Sequence, residues 1–266
     1  MLRVGATIVG LALVAAVVGP LLSPFDPASQ ELALRLAAPS LAHPFGLDEL
    51  GRDILARVLA GARISFLVGF TVVIVSSAVG TLLGAMAGYF GGRIDDLISR
   101  VIDTLLAFPG LLLAIALVAV LGPSLANVLF ALTIIGWVGY ARLVRGQVLR
   151  AREFEYVQAA RALGASTTRI LWKHIIPTAV PAVVVQATLG MAGAIIGEAS
   201  LSFLGLGVQP PTPSWGTMLN GGRAHILDAP HLTLFPGLAI ALLVLGLNFL
   251  GDGLRDRIDP RSHSSR

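Results

Sequence analysis

Lys173 is the only lysine among 266 residues, and His174 follows it. A phosphate-binding loop needs Gly-x-x-x-x-Gly-Lys-Ser/Thr, in which the lysine reaches the phosphates, so this chain carries no such loop. His43, His174, His225 and His231 lie at no spacing that suggests metal ligation or catalysis, and no Ser/His/Asp set, His-Glu-x-x-His sequence or acidic metal cluster is present. With no cysteine, disulfides, thiolate zinc sites and thiol nucleophiles are excluded. Two features remain. Glu198 is the lone acidic residue of an apolar segment, where burying a carboxylate is costly unless it lines a solute path or bonds a neighbouring helix. The stretch from Ala159 to Pro177, AARALGASTTRILWKHIIP, is the longest basic and polar run in an otherwise apolar chain.

The elements that must position these features are membrane helices. The chain is 55% hydrophobic and 13% charged, with a mean hydropathy of +0.83, far beyond what one soluble core requires. Charge-free runs from Val4 to Leu22, Ile64 to Gly92, Thr104 to Ala141, Ile175 to Gly197 and Leu232 to Gly251 each reach spanning length. The third is too long for one span, and its centre, Leu121-Gly-Pro-Ser-Leu-Ala-Asn127, has the composition of a tight turn with capping residues, which predicts two helices in a hairpin. The fold class expected is therefore all-α, with six transmembrane helices. The first run, 19 residues long, exceeds the roughly 7–15 residues of a signal-peptide core and reads as a span. Gly80, Gly84 and Gly88, and likewise Gly190, Ala194 and Gly197, carry the small-residue spacing of close helix packing.

With the amino terminus inside and six alternating helices, 14 of the 19 basic residues fall on the cytoplasmic side, the bias that the positive-inside rule demands. Both termini and the Ala159–Pro177 stretch are then cytoplasmic, and the high pI of about 10.3 needs no nucleic acid to explain it. Two long segments lie outside. Asp48 to Ala60 has apolar residues at helical spacing and predicts a short amphipathic helix on the outer membrane surface. The proline-rich segment Val208 to Gly216 excludes regular helix, and its Trp215 suits either an interfacial anchor or contact with a partner.

In the cytoplasmic connection, Glu153 to Leu163 favours helix, Gly164 suits a C-cap, and Ser166 can cap a second helix that Pro177 ends. Ala159, Ala160, Ala162 and Ala165 would let a partner backbone approach closely, with Arg161 and Arg169 placed for ion pairs at the rim. A docking element and a solvated basic loop are both compatible with these residues alone.

Gln158-Ala-Ala160, Gly164, Ile170, His174 and Pro177 resemble the EAA loop of the integral-membrane subunits of ATP-binding-cassette importers. Further stretches are similar to the dipeptide and oligopeptide permease family, and to its C-type member: His43-Pro-Phe-Gly-Leu-Asp-Glu-Leu-Gly-Arg-Asp-Ile-Leu55, Gly61-Ala-Arg-Ile-Ser65, Gly88-Tyr-Phe-Gly-Gly92, Leu201-Ser-Phe-Leu-Gly-Leu-Gly207, Pro211-Thr-Pro-Ser-Trp-Gly216 and Asn248-Phe-Leu-Gly-Asp-Gly-Leu-Arg-Asp256. The resemblance implies a type I permease fold, with an N-terminal helix and extracytoplasmic segment (1–61), a permease domain (62–251) and a cytoplasmic tail (252–266). It implies an ATPase-coupling loop at Glu155, Gln158, Ala159, Ala160, Arg161, Ala162, Leu163, Gly164, Ala165, Ser166, Thr167, Arg169 and Ile170. The loop of the family begins with Glu where this chain has Gln158, and Glu155, one turn earlier, shares its face.

The partners implied are a B-type permease subunit, one or two cytoplasmic ATPase subunits that bind ATP and Mg, and an extracytoplasmic solute-binding protein. This chain itself binds no cofactor in that scheme and works in a bacterial inner membrane. Pathway lining is expected at Glu198 and binding-protein contact at Trp215. The competing reading is a self-sufficient secondary transporter or channel, which usually shows paired intramembrane charges or an internal repeat; here Glu198 stands alone and no repeat is evident.

Overall fold

The computed structural model describes residues 1–258, so Arg261, Arg266 and the end of the 252–266 tail lie outside the described residues. Among those residues every regular element is helical: α1 (Leu2–Leu22), α2 (Ile54–Phe90), α3 (Gly92–Leu106), α4 (Gly110–Leu121), α5 (Leu125–Ala151), α6 (Glu155–Ala162), α7 (Thr167–Ile170), α8 (Ile176–Phe203), α9 (Trp215–Gly222) and α10 (His231–Ile258), with short 3₁₀ and π turns between some of them. Among the described residues five helices are long and apolar enough to cross a membrane, and the α3–α4 pair makes a sixth if it counts as one span bent by 85°.

The predicted hairpin is present. Gly122 leaves α4 with φ +93°, Ser124 Oγ accepts from Asn127 N at 3.1 Å to cap α5, and Asn127 Nδ2 donates to the carbonyls of Leu121 (3.0 Å) and Gly122 (2.8 Å). One side chain thus serves carbonyls that the end of α4 leaves without helical partners. The span before the hairpin differs from expectation. At 12 residues α4 is about 18 Å long, short of the roughly 30 Å hydrocarbon core. The break falls at Ala107-Phe108-Pro109, because Pro109 has no N–H to continue α3 and restrains Phe108 to extended backbone.

The amphipathic surface helix expected at Asp48–Ala60 is corrected. Residues 48–53 form a turn closed by Asp48, whose carboxylate accepts from Leu50 N, Arg52 N and Arg52 Nε at 2.7–2.9 Å. Asp53 then caps α2, accepting from Ala56 N at 2.7 Å while its other oxygen meets His43 Nδ1 at 2.9 Å. Ile54–Ala60 is simply the start of the 37-residue α2, so the boundary expected at 61/62 falls inside a helix. Its apolar side packs into a cluster with Phe66, Ile195, Trp215, Leu232 and Leu243 rather than onto lipid.

Glycines set the helix contacts. A Cβ on Gly80 would lie 2.5 Å from the Trp137 carbonyl oxygen, one on Gly84 2.4 Å from that of Ala141, and one on Gly88 2.9 Å from that of Arg145. The three therefore form one seam of α2 against the backbone of α5, the close approach that substitutes in lipid for a hydrophobic driving force. Near the other end, Pro20 deprives the Ala16 carbonyl of its helical donor, and Arg63 of α2 supplies one: Nε donates to Ala16 O at 2.7 Å and Nη2 to Val17 O at 2.9 Å. Replacing Arg63 by Leu is expected to lower stability by about 1–3 kcal/mol through the orphaned Ala16 carbonyl. A thermal melt of the purified protein in detergent measures this, and an unchanged midpoint would exclude the brace.

Candidate functional site

The polar stretch folds as a helical lever at one end of the bundle. Two turn bonds, Glu153 N to Arg150 O and Phe154 N to Ala151 O, lead out of α5. The α6 helix follows, and its C-terminus closes with Gly164 at φ +78°: Ala165 N donates to Ala160 O and Gly164 N to Arg161 O, both at 3.0 Å. This paired pattern is a Schellman motif, which explains the glycine at that point. Ser166 Oγ then accepts from Arg169 N at 3.4 Å and starts α7. Gly164→Ala is expected to cost about 1–2 kcal/mol locally, since Cβ disfavours the left-handed conformation, and to increase amide exchange in α6. Gly164→Asn should be milder, and equal exchange in both variants would contradict the cap.

Pro177 does not end the second helix as its sequence predicts. Between Leu171 and Ile175 the backbone makes a π turn, in which Ile176 N bonds Leu171 O, and α8 continues with Pro177 in its first turn. The wider turn shifts the hydrogen-bond register just where a proline cannot donate, so Thr167 to Phe203 runs as one span.

The lever has an inner and an outer face. Val157 and Ile170 are buried with Ala85 of α2, Val144 and Val148 of α5, and Ile175 at the root of α8. Arg161 sits 5.6 Å from the Tyr89 ring centroid, Tyr156 Oη donates to His174 O at 3.4 Å, and Arg152 Nη1 donates to Gly88 O at 3.4 Å. Movement of α6 is thereby tied to the ends of three long helices. On the outer side Glu155, Gln158, Ala159, Arg161, Ala162, Leu163, Gly164, Ser166, Thr167 and Arg169 are exposed, Ala160 and Ala165 half-buried, and Ile170 buried. Leu163 is 88% exposed and Trp172 63%, with Phe154 and Tyr156 also uncovered. Gln158 turns back on its own chain, its Nε2 donating to Glu153 O at 3.1 Å, while Glu155 stands exposed in the first turn of α6.

Sequence reasoning missed Val157 as the inner anchor, and Phe154, Tyr156 and Trp172 as uncovered aromatics. The helical spacing of Val157 against the small residues of α6 was the available signal; the aromatics had none without a partner-facing side.

The other two expected sites are interior. Glu198 is fully buried, its Oε1 accepting from Ser202 Oγ at 2.6 Å, and the Ser202 oxygen in turn accepts from Val208 N at 3.2 Å. The carboxylate therefore supports the fold-back of the segment after α8. Trp215 is 3% exposed, its ring packed over Gly61 and its Nε1 donating to Val58 O at 2.9 Å. Ser214 and Thr217 form a capping box that fixes α9 behind it. Neither an interfacial anchor nor a partner contact matches a buried ring, and the expectation for Trp215 is corrected to a bolt between α9 and α2. A cavity of about 360 Å³ lies elsewhere, walled by Gly110, Gly136, Gly190, Gly193, Ala194 and Gly197 together with aliphatic side chains and Ser200, and Glu198 is not on its wall.

Residues 80–264 match the family described as binding-protein-dependent transport system inner membrane component. The chain is 48% identical over 261 residues to the dipeptide transport system permease protein DppC of Alkalihalophilus pseudofirmus, covering 98% of this chain and 86% of that protein. It is 52% identical over 223 residues to the glutathione transport system permease protein GsiD of Escherichia coli O6:K15:H31, covering 84% and 74% respectively. Among solved structures, an amino acid ABC transporter with histidines superposes with a TM-score of 0.59 at 15% identity, over 76% of this chain and 94% of that one. An inward-facing MetNI methionine ABC transporter gives 0.55 at 20% identity, over 76% and 94%. These two likenesses establish a shared fold.

Proposed function

The chain belongs to the binding-protein-dependent transport system inner membrane component family, and from that premise we propose that it conducts peptides as one half of an ATP-driven import pathway. Its cargo is a short peptide, by kinship with the dipeptide and glutathione permeases. Its partners are a B-type permease, one or two cytoplasmic ATPase subunits holding ATP and Mg, and an extracytoplasmic binding protein. Both termini face the cytoplasm of a bacterial inner membrane, a reading that the arginine bias supports.

The observation that carries this reading is the two-faced lever: Val157 and Ile170 wedged among α2, α5 and α8, with Leu163 offered to solvent on the far side. An exposed leucine at the tip of a polar helix loses apolar area to water unless a partner groove takes it. A partner that moves the tip moves three long helices, which is how closure of an ATPase pair would bias two packings of the bundle. The glycine-walled cavity suits cargo of varied side chains, because backbone and aliphatic walls impose no charge requirement.

The test is reconstitution of the full complex in proteoliposomes with a labelled dipeptide and with glutathione. Uptake should require ATP, the ATPase subunits and the binding protein together. Ion-gradient-driven uptake by this chain alone would instead make it a secondary transporter.

A further inference from the structure

The α3 helix divides into three strips. Ile98, Ile102 and Leu105 pack on Val138, Ala141 and Trp137 of α5. Asp95 pairs with Arg145, Nε to Oδ1 at 2.5 Å and Nη2 to Oδ2 at 2.6 Å, and Asp103 pairs with Arg142 at 3.0 Å. The third strip, Ile94, Leu97 and Val101, follows the i, i+3, i+7 spacing of one helix face and is exposed, Leu97 by 65%. Arg93 and Arg100 lie along the border of that strip.

The placement of α3 says what covers the strip. The 85° bend at Pro109 sets it across α4, which itself runs antiparallel along α5, with Gly110 at Ile135 and Val118 near Val128. Its ion pairs reach α5 six and nine residues before Ala151, about 9–14 Å nearer the bundle centre than the root of the coupling lever. Exposed phenylalanines stand at both ends, Phe90 and Phe108. A helix that crosses α4 beside the inner half of α5, with an exposed apolar strip bordered by Arg93 and Arg100 and with Asp96 beyond them on the polar side, has the geometry of an interfacial helix.

We propose that α3 lies in the cytoplasmic leaflet, with Ile94, Leu97 and Val101 in the acyl boundary and Arg93 and Arg100 at anionic phospholipid headgroups. The inference rests on the reading that the α6–α7 end is cytoplasmic. Because this leaflet contact is joined to α5 through Asp95–Arg145, lipid headgroup charge becomes an input to the same helix ends that the coupling lever moves.

The chain has no cysteine, so single spin labels at Leu97→Cys and Asp96→Cys can be read in the assembled transporter, built with cysteine-free partners, in phosphatidylcholine vesicles with and without phosphatidylglycerol. ATP-driven peptide uptake by the labelled complexes checks the transport reading separately. The Leu97 label should relax with oxygen and resist a water-soluble nickel chelate, with the reverse at Asp96. A Leu97 label shielded from both reagents, as under a partner subunit, or open to the chelate would overturn the inference even with uptake intact. Phosphatidylglycerol should raise oxygen contact at Leu97, and the rise should vanish in Arg93→Gln/Arg100→Gln. No rise in the parent, or one that persists in the double variant, would overturn the headgroup assignment.

Discussion

Leu163→Asp is expected to abolish ATP-driven uptake while leaving the protein inserted and folded. At 88% exposure the side chain contributes little to this chain's own packing, so its loss does not threaten the bundle. In a partner groove the change removes a leucine-sized burial and places an unpaired carboxylate there, close to the negative end of α6. Central interface residues of this kind typically cost about 2–4 kcal/mol, so ATPase affinity should fall by roughly 30- to 1,000-fold. Copurification of the ATPase and uptake in proteoliposomes measure it, with Leu163→Met as a control that keeps the apolar contact. Near-normal transport by Leu163→Asp would remove the lever from the mechanism.

Gly84→Leu should prevent a stable fold. Its Cβ would meet Ala141 O at 2.4 Å and Ala141 Cα at 3.0 Å, and these are backbone atoms that no rotamer change can move. The helices would have to part along the whole Gly80–Gly84–Gly88 seam, losing the close packing that holds membrane helices together. Overpacking usually costs about 1–3 kcal/mol, and a clash with backbone belongs at or above the upper end. A detergent melt and the yield of monodisperse protein report the effect. Gly10→Leu is the matched control, since nothing lies within 4 Å of a Cβ there. Equal behaviour of the two variants would show that the seam is not a principal contact.

The sequence was most legible where local chemistry decides the structure. Glycine, serine and asparagine at 122–127 dictated a hairpin because each supplies a positive φ or a cap within a few residues. Gly164 and Ser166 punctuated the Ala159–Pro177 stretch for the same reason. Reading Pro177 as a stop misplaced a break, because a π turn absorbed the missing N–H. Asp48–Ala60 showed amphipathic spacing, but spacing alone does not say whether lipid, water or α9 and α10 cover the apolar side.

By itself, then, the sequence determined the membrane class, five of the spans, the charge-biased end and the position of a capped polar stretch, since hydropathy, caps and arginines act over a few residues each. Only the tertiary structure decided that Glu198 and Trp215 are interior, that the Gly80 seam faces α5 and that Val157 anchors the lever. The physical reason is the solvent. In water an apolar face must turn inward, whereas in a bilayer a lipid-facing leucine and a protein-facing one are equally satisfied, so periodicity cannot separate them and the packing of neighbouring helices must.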